Sequence, residues 1–149
     1  DSSDKYSNSA NHGAIYSLSW VDLSNEPVVM HAPGSDGRYV DIELAGFYSD
    51  VFGYVSPPMH NNKALTYLVV GPDWDGVVSG DKFDGVLQAP TPWVWTVGRV
   101  FTRGGDDLEA AREIQSKFVV APLSQWESGN IIPSTRRDVL DPFPKITMP

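Results

Sequence analysis

Arg38-Tyr39-Val40-Asp41-Ile42-Glu43-Leu44 alternates strictly between apolar and polar positions. Val40, Ile42 and Leu44 share one face, while Tyr39, Asp41 and Glu43 share the other. A period of two marks a strand with one buried face. The same rhythm recurs on both sides of this stretch. From Ala14 to Val21, Tyr16, Leu18 and Trp20 face one way; Ser17 and Ser19 face the other and read as the polar face. From Trp93 to Phe101, one face carries Trp93, Trp95, Val97, Arg99 and Phe101. Gly98 falls on the opposite face, where a glycine marks a bulge or a close backbone approach. Further strands are predicted at Val28-Val29-Met30, at Ser49 to Val55 and at Val86 to Ala89. Leu65 to Val70 is almost wholly apolar and ends β-branched, as a central strand covered on both faces would be.

Turn residues separate these runs, as in Pro33-Gly34-Ser35-Asp36-Gly37 and Gly71-Pro72-Asp73-Trp74-Asp75-Gly76. One helix is predicted near residues 106–118. Asp106 stands at its N-cap, Glu109 completes a capping box, and Leu108, Ala111, Ile114, Gln115 and Phe118 keep helical spacing. Seven short strands and one late helix predict a mainly β fold, an antiparallel β-sandwich or barrel-like domain. Residues 1–13 read as a polar arm, 14–126 as the β domain and 127–149 as a proline-rich tail or linker. The tail holds Ile131, Ile132, Val139, Leu140, Phe143 and Ile146 without regular spacing, and is expected to be covered by a partner.

The chain has 149 residues, 41% hydrophobic and 20% charged, enough for one domain with its own core. It has no cysteine, which excludes a disulfide framework and thiolate chemistry. The net charge of −8 and the single adjacent basic pair, Arg136-Arg137, argue against nucleic acid as a partner. No apolar run is long enough to span a membrane. The chain begins at Asp1 rather than Met, which fits loss of an upstream piece such as a signal peptide, or a sequence that is part of a longer one.

Several segments in order resemble the domain-of-unknown-function family 1254. They are Tyr16-Ser17-Leu18-Ser19-Trp20-Val21-Asp22-Leu23-Ser24 with Glu26-Pro27-Val28-Val29; Gly37-Arg38-Tyr39; and Tyr67-Leu68-Val69-Val70-Gly71-Pro72 with Trp74 and Gly76. Ala89-Pro90-Thr91, Val94-Trp95-Thr96-Val97-Gly98-Arg99, Asp107-Leu108 and Ala121-Pro122-Leu123-Ser124 continue the pattern. The sequence departs from it at Asn11-His12-Gly13-Ala14, where the family has an Asn-Asn-Asp-Thr-like stretch, and at Pro92, which takes the place of an Asn. The resemblance implies a β-rich domain usually followed by a family 1214 domain in one polypeptide, and a secreted or cell-envelope location.

Residue chemistry points to few reactions. His12, His31 and His60 stand far apart, without the close pairing of a metal site, so neither a metal nor another cofactor is expected. Asp73-Trp74-Asp75-Gly76 matches the start of a calcium loop, but Val77 and Asp84 occupy the fifth and twelfth positions, so it reads as a turn. Ser17 and Ser19 lack a nucleophile elbow, and Gly104-Gly105 lacks the Lys of a phosphate loop. The most informative group is Trp93, Trp95 and Arg99 on one strand with Tyr16 and Trp20 on another. One reading is an aromatic core or interdomain face, with Arg99 paired to a buried carboxylate such as Asp22 or Asp50. The other is a ligand cleft in which Arg99 holds an anionic or hydroxylated molecule such as a sugar, phenolic acid or carboxylate.

The expected function is therefore a noncatalytic or half-site domain that docks on a family 1214-like domain or chain, in a homo- or hetero-oligomer. A small-molecule or saccharide cleft would lie at that interface. The alternatives are half of a two-domain hydrolase or lyase, and a structural subunit of an envelope or particle.

Overall fold

Val40, Ile42 and Leu44 point from strand β3 (Val40–Gly46) into the space between two sheets, and all three are buried there. The computed structural model describes residues 13–78 and 81–132. In the first sheet the strand order is β1-β7-β3-β4, with β1 Ala14–Asp22, β7 Trp93–Phe101 and β4 Val51–Val55. The second has the order β6-β5-β2-β8, with β6 Gly85–Gln88, β5 Leu65–Val70, β2 Val28–Ala32 and β8 Val119–Pro122. The result is a mainly β sandwich, as the alternation predicts. Between the sheets, Val28, Met30 and Val69 meet Ile42, Leu44, Val55 and Val94. Met30, Leu44 and Leu68 are completely enclosed. Each such side chain contributes about 1.5–3 kcal/mol relative to exposure.

Every strand pair is antiparallel except β5 with β6. A parallel pair needs a crossover rather than a hairpin. Here the crossover lays Trp74, Val78 and Phe83 over the outer face of the second sheet, against Val29, Leu68 and Val70. Leu123 and Trp126 from helix α2 (Leu123–Ser128) join them, so β5 is covered on both faces as expected. Helix α1 (Asp107–Gln115) closes one end of the sandwich, packing Ala111 and Ile114 against Val40, Val100 and Ile15.

Several expectations need correction. Among the described residues there are eight strands, not seven, and a second α-helix: β8 and α2 add to the elements expected. Pro122 is tolerated because β8 is an edge strand. Helix α1 is shorter than residues 106–118, and Asp106 makes no side-chain cap. Asp107 instead ties the preceding turn to the helix, its Oδ2 accepting from the Arg103 backbone N–H at 2.9 Å. Gly98 marks no bulge, because the β1–β7 register runs unbroken from Ala14↔Phe101 to Asp22↔Trp93. The irregularity lies instead between β3 and β4, at Leu44 and Ala45. Of the expected tail, Ile131 and Ile132 are exposed. Val139, Leu140, Phe143 and Ile146, like the arm at 1–12, lie outside the described residues. Among the described residues no helix is long and apolar enough to cross a membrane.

Candidate functional site

The largest departure from expectation concerns the direction in which β1 faces. Its inward residues are Ile15, Ser17, Ser19 and Val21, all at least partly buried, whereas Tyr16, Leu18 and Trp20 point outward and are exposed. The aromatics are therefore not core, and the serines are not the solvent face. Antiparallel pairing with β7 sets Tyr16 opposite Arg99, Leu18 opposite Val97, Trp20 opposite Trp95 and Asp22 opposite Trp93. All five candidate site residues, Tyr16, Trp20, Trp93, Trp95 and Arg99, thus lie on one outer sheet face.

That face also carries aromatics that the strand patterns did not single out as site residues. Tyr39, just before β3, and Tyr54 of β4 join it and are about half exposed. Phe47 and Tyr48 come from the β3–β4 turn, which is closed by a Gly46 N–H to Asp50 carbonyl bond of 2.9 Å. The Phe47 N–H donates to Thr91 Oγ1 at 2.9 Å, holding the turn beside Trp20. The Phe47 ring lies 6.0 Å from Trp20 and 5.5 Å from Tyr48, the latter edge-on. The only sequence signal for this rim was two adjacent aromatics in a turn, where a solvated loop normally has small polar residues.

A charged island sits in the middle. The β3–β7 register brings Asp41 opposite Arg99 and Glu43 opposite Val97. Arg99 Nε donates to Asp41 Oδ1 at 2.9 Å and Nη2 to Asp41 Oδ2 at 2.7 Å, a two-pronged pair. Nη2 also reaches Glu43 Oε2 at 3.0 Å. The Asp41 side chain has no exposed surface, and Arg99 lies over it as a lid with 28% of its side chain exposed. The partner is therefore neither Asp22 nor Asp50. Asp22 accepts the Ser24 N–H on the same strand end, and Asp50 belongs to the β3–β4 turn. The Tyr39 hydroxyl completes the island by donating to Asp41 Oδ2 at 2.9 Å.

These contacts fix the charge states. Hydrogen bonding to Asp41 holds the Arg99 guanidinium well above its already high value, against the opposing effect of burial. Burial first, then the Asp41 carboxylate, pushes the Tyr39 phenol up; burial and Glu43 do the same to Tyr54. Both phenols stay neutral near pH 7, and one cation meets two carboxylates. Two of the three guanidinium nitrogens of Arg99, Nε and Nη2, are engaged within the protein, which leaves the surrounding rings as most of the available surface.

The other sequence candidates are not drawn to this face. His31 Nδ1 lies 2.9 Å from Thr66 Oγ1 and its ring packs on Trp126, while His60 is exposed at the end of a 3₁₀ turn; His12 lies outside the described residues. Asp84, at the calcium-loop twelfth position, accepts the Thr66 N–H at 2.7 Å and so caps the start of β5. Among the described residues no group of three or more His, Asp or Glu is placed to hold a metal ion.

A family model described as "Protein of unknown function (DUF1254)" matches residues 1–122. No curated protein matches the chain. The crystal structure of the VPA0106 protein from Vibrio parahaemolyticus is similar, with a TM-score of 0.72 and 22% identity over 87% of this chain. At that identity the likeness is one of fold. The aligned region is 33% of the Vibrio chain, so this chain spans about a third of that protein's length.

Proposed function

The chain belongs to the DUF1254 family, and we propose that it is a noncatalytic β domain that docks on a family 1214-like domain. The docking surface is the outer face of the β1-β7-β3-β4 sheet. One observation carries this reading: the two outer faces of the sandwich are treated differently. The described residues cover the second sheet with the crossover and α2, yet leave Trp20, Trp93, Tyr39, Tyr54, Phe47 and Tyr48 exposed on the first. Exposed aromatics surrounding an Arg are the composition of an interface centre. The greater length of the Vibrio protein supports a partner within the same polypeptide. At such an interface Trp20, Trp93 and Trp95 would form one wall of a small-molecule or saccharide cleft, since pockets favour domain boundaries. With Arg99 engaged by Asp41 and Glu43, an uncharged ligand suits that wall better than an anion. The family resemblance supports a secreted or cell-envelope location.

The test mixes the 149-residue chain with a separately produced family 1214-like domain and measures association by calorimetry. A one-to-one complex is expected. Truncating an interface Trp at a binding centre costs about 2 kcal/mol or more, roughly 30-fold in affinity. Trp20→Ala with Trp93→Ala should therefore weaken binding by about a hundredfold or more while leaving the melting temperature of the isolated chain nearly unchanged. Binding indifferent to both substitutions, or no binding at all, overturns the proposal.

A further inference from the structure

A cleft opens between the two sheets on the edge formed by β1 and β8, and it borders the outer aromatic face at Leu18 and Trp20. On the inner face of the first sheet, Ser17 is paired with Gly98 and Ser19 with Thr96. Ile42 and Leu44 continue these two rows, and Val40, Val94 and Val100 occupy the neighbouring ones; all are buried. Four small residues in a two-by-two block cannot fill the space between the sheets. A cleft of about 430 Å³ results, within the range of small-molecule sites. Val28, Ile42 and Phe118 supply its apolar walls.

The polar groups are placed, not scattered. Ser19 Oγ and Thr96 Oγ1 lie 2.6 Å apart, and Thr96 is almost fully buried. From α1, Gln115 Nε2 donates to the Tyr16 carbonyl at 3.0 Å and to Ser17 Oγ at 2.9 Å, so the helix anchors one wall. Each hydroxyl can rotate to donate or accept. Among the described residues no Lys, Arg or His lines the cleft, and the one carboxylate that does, Asp22, is exposed. An anion would meet no cation there and would be repelled by Asp22 and by the chain's net charge of −8.

We propose that this cleft binds an uncharged, largely apolar small molecule carrying one or two hydroxyl or carbonyl groups. The apolar body lies between Ile42 and Phe118, and the polar group exchanges hydrogen bonds with Ser17, Ser19 and Thr96. At the ~30 Å³ that a water occupies in the liquid, 430 Å³ admits about fourteen heavy atoms, more where the ligand reaches out of the mouth.

The uncharged naphthyl ketone prodan, titrated by fluorescence into the 149-residue chain, provides the test. Saturation at one molecule per chain with blue-shifted emission is expected. Ser17→Leu fills the cleft and should weaken binding roughly tenfold or more, whereas Ser17→Ala keeps the space and should change it far less. Trp93→Ala on the outer face, outside the cleft lining, should leave prodan affinity unchanged, which separates this site from the docking face. Should Ser17→Leu fail to fold, Gly98→Val serves, since a Cβ there meets Ser17 Cβ at an ordinary 3.4 Å. Nuclear Overhauser contacts from prodan to the Val28 and Ile42 methyl groups in the unmodified chain are expected in addition. Affinity unmoved by either filling substitution, several equivalent sites, or contacts only to the outer face would each overturn the proposal.

Discussion

Arg99→Met removes the guanidinium while keeping most of the aliphatic cover over Asp41. What remains is a carboxylate with no exposed surface, satisfied only by the Tyr39 hydroxyl. Breaking a fully buried pair costs about 3–5 kcal/mol. Arg99 is 28% exposed, so water enters part of the vacated space and the lower end, about 3 kcal/mol, applies here. For a domain of this size each kcal/mol moves the melting point by about 2–4 °C, which gives a fall of roughly 6–12 °C. Urea and thermal unfolding of Arg99→Met, Asp41→Leu and the double variant close a thermodynamic cycle. The expected coupling is about 2 kcal/mol or more, because Arg99 and Asp41 share two hydrogen bonds. Asp41→Leu alone should cost less than Arg99→Met, since Arg99 keeps Glu43 and reaches solvent. A coupling below about 0.5 kcal/mol would refute the reasoning, because sites that share no interaction simply add.

Two further outcomes follow from local geometry. Gly34→Ala should destabilise by about 1–3 kcal/mol in urea unfolding, as overpacking does: its new Cβ would lie 2.9 Å from the Asn62 carbonyl oxygen and 3.0 Å from the Ala64 nitrogen, both backbone. A variant as stable as the parent would show that the loop gives way freely. Asp107 is held well below the usual carboxylate range, first by the Arg38 hydrogen bond and then by the Arg103 N–H. Its folded value thus lies below the unfolded one of about 3.9, so its contribution is present above that pH and fades as pH falls. Asp107→Asn should therefore flatten the acid side of the stability–pH curve, and equal acid slopes in both proteins would count against the Arg38–Asp107 link.

The reach of sequence reasoning shows in β3 and β1. Both alternate, and in both the division into two faces is correct. For β3 the buried face is the aliphatic one, as hydrophobicity implies. For β1 the aromatic face is exposed and the serine face turned inward, because β1 is an edge strand beside a cleft on a sheet whose outer face the described chain leaves bare. Periodicity reports two faces; only the neighbours decide which is covered. Arg99 illustrates the same limit. Its need for a carboxylate is readable from its setting among aromatics. The choice of Asp41 depends on β3 lying next to β7, 58 residues away in sequence, and strand order is not written locally. Strand β8 and helix α2 were missed because each is short, four and six residues, and Pro122 falls at their junction.

The pairing of β1 with β7 sets a timetable for biosynthesis. Among the described residues β1 is an edge strand hydrogen-bonded to β7 alone, and 70 residues lie between Asp22 and its partner Trp93. At about 5–20 residues per second, a ribosome needs roughly 4–14 s to make the intervening chain. Throughout that interval Tyr16, Leu18 and Trp20 hang on a nascent strand whose backbone groups have no β7 to bond, an adhesive segment of the kind chaperones retain. Loop closure over such a distance is slow even once the chain is complete. The finished sandwich thus depends on a first strand that stays unpaired until the last strand of its sheet has been made.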